Sequence, residues 1–192
     1  MASVFFGGAI SLSGSEIDYE APWGTASSVS ILEGAVSYGG QYLYALNPYL
    51  AVGAEFNANN FESTTDRIWG AGYAAETITS KMDVYSILLA GRLTVNPAHA
   101  FRLYVPLGVG AAVAKNSMTA HTAGVSASGS ETDCSVIYYA GLGIEGDLMN
   151  NWTLGAEMRY SRFTMDTRKL VQHGGKENFS FLALMLKLSY RF

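Results

Sequence analysis

The stretch 182-LALMLKLSYRF-192 sets leucines at 182, 184, 186 and 188, then Tyr190 and Phe192. Every second side chain is apolar, and the positions between them include Lys187, Ser189 and Arg191. A period of two is that of a strand whose two faces meet different surroundings. The reading of the whole chain turns on which solvent the leucine face meets.

The same alternation recurs along the sequence, and it predicts eight strands. They cover about 3–13, 29–46, 49–59, 83–95, 101–115, 135–148, 152–163 and 179–192. One face of each is aliphatic or aromatic: Val4, Phe6, Ile10 and Leu12 in the first, Ile87, Leu89 and Leu93 in the fourth. The other face carries Gly, Ala, Ser and isolated charges. The connections alternate in length. Short turns fall at 47–48, 96–100 and 149–151, two of them opened by Asn-Pro. Longer polar stretches fall at about 14–28, 60–82, 116–134 and 164–178, and the third, small and polar, is expected to be mobile. Short connections at one end and long ones at the other describe an up-and-down antiparallel barrel. Pro106 interrupts the fifth strand at an inward position and removes a ladder donor, which a bulge or shifted boundary would absorb.

Two barrels fit that pattern, and they differ in which face is inside. A soluble barrel points its apolar face inward, whereas a membrane barrel points it at lipid. Large aliphatics on one face would overfill an eight-stranded lumen, and the small and charged residues of the other face suit one. Aromatic residues mark both ends of the apolar face. Tyr42, Tyr44, Phe101, Trp152, Tyr190 and Phe192 lie near the short turns, and Phe56, Tyr85, Tyr138 and Tyr160 lie toward the long connections. Tyr and Trp favour the membrane interface, where ring and polar edge are both satisfied. The expected fold is therefore all-β: one domain over 1–192, an eight-stranded antiparallel transmembrane β-barrel with three short periplasmic turns and four longer extracellular loops. Roughly 9–11 tilted residues cross the hydrocarbon, and each predicted strand is long enough. The first strand must seal against the last, since lipid offers no partner for an open edge.

Composition narrows the function. Only 15% of residues are charged against about a quarter in soluble domains, 49% are hydrophobic, and the net charge is −4. No basic block suits nucleic acid. No apolar run of about 18 residues forms a spanning helix, and no Lys/Arg-headed export signal is present, which is no argument for the cytoplasm. Cys134 is the one cysteine and lacks neighbours for a metal; no cofactor is expected.

Inside the barrel the reading places Glu55, Arg92, Glu145, Glu157, Arg159 and Lys187 at similar depth, with Glu33 higher and Arg102, Asp147 and Arg191 near the periplasmic mouth. Buried charges are costly unless paired, so a salt-bridge network that plugs the lumen is expected. The competing reading is a narrow ion path. His99 sits in a short turn, and His121 and His173 in long connections; none has a strand-placed Ser partner, so no catalytic residue is assigned. In the long connections, Trp23, Trp69 and Tyr73 offer anchors for a protein partner, and Arg168 and Lys169 offer charges for lipopolysaccharide phosphates.

These features together resemble the eight-stranded outer-membrane barrel family that includes the OmpA transmembrane domain, OmpX and the opacity-type surface proteins. The resemblance covers essentially the whole chain, and its most specific part is the ending Tyr190-Arg191-Phe192. It implies that Tyr190 and Phe192 act as the C-terminal signal read by the barrel-assembly machinery. It also implies a bacterial outer-membrane location, contact with lipopolysaccharide and a monomer that needs no partner subunit. The function expected first is a non-enzymatic surface protein whose loops mediate adhesion to a host or envelope protein. A small porin-like channel comes second and a lipid A-modifying enzyme third.

Overall fold

The computed structural model describes residues 1–13, 16–20, 26–30, 34–68, 75–122, 125–166 and 176–192. Its strands are β1 (Ala2–Ser13), β2 (Glu16–Glu20), β3 (Ala26–Ser30), β4 (Gly34–Ala45), β5 (Leu50–Ile68), β6 (Ala75–Thr94), β7 (Phe101–Thr122), β8 (Val125–Met149), β9 (Trp152–Asp166) and β10 (Lys176–Tyr190). β1 and β4 to β10 close into one eight-stranded antiparallel barrel, and β2 pairs with β3 in a separate hairpin. The closing seam joins the two ends of the sequence: Val4 faces Leu188, Phe6 faces Leu186 and Ile10 faces Leu182. With that seam made, no edge of the barrel wall is left for lipid to solvate.

The strands are staggered as well as paired. Ala2 pairs with Tyr42, Tyr42 with Ala54, Ala54 with Leu89 and Leu89 with Val109. Val109 pairs with Tyr138, Tyr138 with Arg162, Arg162 with Ser180, and Ser180 with Ser13 of the first strand. One circuit therefore climbs from Ala2 to Ser13, and that shear is what tilts the strands against the barrel axis. Pro106 is absorbed without the expected bulge or moved boundary. It pairs with Arg92 of β6, while the ladder to β8 skips Val105 and Pro106 and resumes at Leu107↔Ala140 in unchanged register. Long ladders on both sides of the gap hold the register, so one residue without an N–H costs only local pairing.

The orientation of the faces is settled by adjacent residues in β10. Leu184 and Leu186 are each 65% exposed, whereas Lys187 is 2% exposed. Ile87, Leu89, Val109, Leu142 and Leu154 share the outer surface with them. Exposed rings border this aliphatic zone: Tyr42, Tyr44, Tyr49 and Phe101 on the short-turn side, Tyr38, Phe56, Tyr85, Tyr138 and Tyr160 on the other. In the cluster at the short-turn end, Trp152 meets Tyr190 edge-on at 5.1 Å between centroids, and Phe192 lies 5.7 Å from Tyr190 and 5.9 Å from Tyr42.

Beyond the outer aromatic zone the barrel continues, and its polarity reverses. The stretches 60–82 and 116–134, expected as loops, are largely strand: β5 runs to Ile68, β6 starts at Ala75, β7 runs to Thr122 and β8 starts at Val125. Polar residues there read as loop because the outer face no longer meets lipid. Glu62, Thr64, Lys81, Lys115 and Thr132 now point outward and are exposed, with Lys81 paired to Glu62 at 2.8 Å. Many inward positions are apolar instead, with Phe61, Met82, Val84, Ile137, Phe163, Phe179 and Phe181 packed together beside the buried Ser63, Ser80 and Asn116. Phe61 meets Phe181 edge-on at 5.4 Å, and Phe163 stacks on Phe179 at 5.5 Å. This half is built like a water-soluble barrel.

The reversal predicts opposite tolerance at two outward positions. Leu186→Arg puts a charge in the lipid zone and should cost about 2–4 kcal/mol, as cations do near the bilayer midplane. Thr132→Arg, above the outer rings, should leave stability unchanged. Urea unfolding of the barrel refolded in bilayers measures both; equal losses would contradict the placement of the lipid zone.

Candidate functional site

The ionic residues on the inward face form the densest chemistry in the described molecule. Arg159, on β9, is 1% exposed and has both carboxylates of its tier as partners. Its Nε donates to Glu157, and its Nη1 and Nη2 donate to Glu55. The planar guanidinium suits this double recognition, because its donors diverge in a fixed fork. Its flat faces are covered too, with the Phe5 ring centred 4.8 Å away and the Tyr139 ring 4.4 Å away. Lys187 Nζ donates to Gln41 at 2.7 Å and to Glu157 at 3.3 Å. Gln41 in turn donates to Glu55 at 2.9 Å. Two acids and two bases thus balance inside a closed set of hydrogen bonds.

A second tier lies toward the short turns. Glu145 accepts from Arg92 at 2.6 Å, from Arg102 at 3.0 Å and from Arg191 at 2.5 Å. Arg102 also grips Asp147 through both terminal nitrogens, at 3.0 and 2.5 Å. Tyr104 joins the tiers. Its hydroxyl donates to Glu157 at 2.9 Å, while Arg92 sits 4.0 Å over its ring and Lys187 lies 5.4 Å from the ring centre. Tyr139 does similar work above, donating to Glu55 at 2.9 Å.

Glycine makes room for these rings. A Cβ at Gly143 would come within 2.2 Å of the Tyr104 ring, and one at Gly108 within 2.2 Å of the Tyr139 ring. Bare backbone at both positions lets a large phenol lie flat against the barrel wall and still reach a carboxylate across the lumen. The inward glycines are therefore part of the plug.

The residues expected inside are placed in two groups rather than one ring. Glu55, Glu157, Arg159 and Lys187 make the upper group; Arg92 and Glu145 join Arg102, Asp147 and Arg191 below. Counting positions from the turns assigned them a common depth, and strand stagger removes that equivalence. Gln41, Tyr104 and Tyr139 were not singled out in the sequence. Their inward parity was the available signal, since a buried phenol or amide needs a partner. Glu33, Trp23, Trp69, Tyr73, Arg168, Lys169 and His173 lie outside the described residues. His99 lies exposed in the turn before β7, and His121 is exposed on the upper part of β7. Among the described residues no three His, Cys, Asp or Glu side chains converge as metal ligands, and Cys134 is exposed on β8.

The family model described as "Outer membrane protein beta-barrel domain" matches residues 3–192. No curated protein matches the chain by sequence. Among solved structures the chain is similar to Neisserial surface protein A, NspA, at 13% identity and a TM-score of 0.52, covering 100% of this chain and 97% of that one. It is similar to outer membrane protein OprG from Pseudomonas aeruginosa at 16% identity and 0.51, covering 100% and 95%. Outer membrane protease OmpT from Escherichia coli matches at 12% identity and 0.50, over 84% of this chain and 65% of that one. At such identities the likeness speaks for architecture alone.

The network predicts unequal consequences for its two cations. Arg159→Met leaves Glu55 and Glu157 without their principal partner in a buried site and should cost on the order of 3–5 kcal/mol. Lys187→Met leaves Glu157 still held by Arg159 and Tyr104, so its loss should be smaller. Urea titration of each variant in detergent, read by heat-modifiable gel migration, ranks them; equal small shifts would show that the charges are not coupled as placed.

Proposed function

Because the chain belongs to the outer-membrane protein β-barrel family, we propose that this bacterial outer-membrane protein works through its extracellular surface and not through its lumen or by catalysis. In this reading it is a non-enzymatic surface protein that contacts a host or envelope protein. The observation that carries the reading is the filled interior. A balanced ionic layer lies beneath an apolar layer that includes Phe61, Phe163, Phe179 and Phe181, each no more than 1% exposed. A wall of eight strands leaves space only for side chains, and beyond the mouth at the short turns they occupy it. The β5–β8 wall, which continues beyond the outer aromatic zone, supports the reading as well.

The contact residues proposed are Trp23, Trp69 and Tyr73, whose rings suit a desolvated protein interface, and Arg168 and Lys169, whose charges suit lipopolysaccharide phosphates. The periplasmic end has a separate proposed role. Tyr190 and Phe192 are offered to the barrel-assembly machinery, with the exposed Phe192 ring free to be read before the aromatic cluster packs.

Bacteria displaying the protein should adhere to host-cell monolayers, and replacing those five loop residues by Ala together should lower adhesion about tenfold, as loss of a hot spot does. Surface amounts of folded barrel should stay constant. In planar bilayers the purified barrel should give no conductance steps; stable steps together with unchanged adhesion of the replaced form would favour the channel reading. Deleting Phe192 should reduce insertion in cells far more than refolding in detergent, and equal effects on both would remove its role in assembly.

A further inference from the structure

We propose that the periplasmic mouth of the lumen is a binding site for a small organic anion, one carboxylate on a compact apolar body. This inference is independent of what the extracellular surface contacts. A cavity of about 320 Å³ opens there, bordered by Arg92, Arg102 and Arg191 and walled by Leu43, Ala45 and Ala51. That volume is at the small end of the usual range for ligand sites.

The space is built by the register. Ala45 pairs with Ala51, and Ala51 with Arg92, so two short side chains on adjacent strands lie in one row with the guanidinium of the third at the mouth. Deeper in the lumen, inward positions of the same strands carry residues that span it, such as Gln41 and Glu55. Methyl groups at 45 and 51 leave the volume unfilled and give it an apolar wall.

The charge at this level is not balanced. Arg92, Arg102, Arg191 and the Met1 ammonium meet the carboxylates of Glu145 and Asp147 and the chain-terminal carboxylate of Phe192, which leaves one positive charge over. The tier above does not neutralise it, because Glu55 and Glu157 there match Arg159 and Lys187. Glu145 is enclosed by its three guanidinium partners, and the Asp147 side chain is 52% exposed and turns toward water. Arg92 and Arg102 are 4% and 6% exposed, so their charge acts across a low-dielectric wall and is weakly screened. A concavity with uncompensated guanidinium charge at one side and alanine and leucine at the other selects an anion with an apolar body. A free inorganic ion would use only half of it.

The test titrates the refolded full chain, in zwitterionic micelles, with benzoate, acetate, benzyl alcohol and inorganic phosphate. The readouts are the NMR shifts of the Ala51 amide and the Arg92 side-chain Nε–H. Benzoate should saturate both signals. Acetate, without the apolar body, and benzyl alcohol, without the charge, should each bind about tenfold more weakly or less, the factor expected for losing one charge-assisted hydrogen bond or a comparable burial. Ala51→Leu fills the cavity without altering any charge and should abolish saturation; Ala45→Leu serves the same end if the first variant does not fold by gel migration. Arg191→Gln removes the excess charge and should weaken benzoate about tenfold by the same conversion. Shifts that rise linearly with benzoate, or that persist undiminished in the leucine variants, would overturn the site. Phosphate binding as tightly as benzoate would overturn the organic ligand.

Discussion

Lipid supplies no hydrogen-bond partner, so a backbone that crosses it must satisfy every amide and carbonyl internally. In this chain the constraint is met by one contact, the pairing of β1 with β10. Without it the other seven ladders would form an open sheet with two unpaired edges in hydrocarbon. With it, the stagger from Ala2 to Ser13 becomes fixed for the whole circuit, and the positions of all inward side chains follow. The ionic tiers, the aromatic zones and the periplasmic cavity are consequences of that closure.

Closure also dictates what the interior must contain. An eight-stranded wall encloses an interior about wide enough for side chains to fill, and charges enclosed by it need partners of opposite sign. Arg159 illustrates the solution, since its fork joins Glu55 and Glu157 while two rings cover its faces. Such a network discriminates strongly against alternative registers. Slipping one strand by a single residue would send Glu55 or Arg159 into lipid and Phe56 or Tyr160 into the lumen.

The solvent outside changes along the axis, and the sequence follows it. Within the lipid zone apolar residues point out and ions point in. Above the outer rings the wall stands in water, Lys81 and Glu62 pair on its surface, and phenylalanines fill its centre. Continuous pairing through both zones makes one rigid body from two opposite polarity codes. The described ends of β5 to β8 thereby stand beyond the outer aromatic zone.

Much of this was legible in the ending LALMLKLSYRF and its counterparts. Period-two alternation, large aliphatics opposite small and charged residues, and Asn-Pro turns determine the strands, their lipid-facing side and the barrel, because each is a local consequence of which solvent a side chain meets. What the sequence alone did not decide depends on stagger, which is a property of the closed circuit. Only the tertiary structure separates Arg92 and Glu145 from Glu55 and Arg159, brings Tyr104 between them, and sets Ala45 and Ala51 in one row at the mouth. Strand length was also misjudged where the code reverses. Glu62, Lys81 and Thr132 look like loop to a reader expecting lipid outside, yet they are strand in water, with the core they need supplied by Phe61, Phe163 and Phe179 from distant parts of the chain.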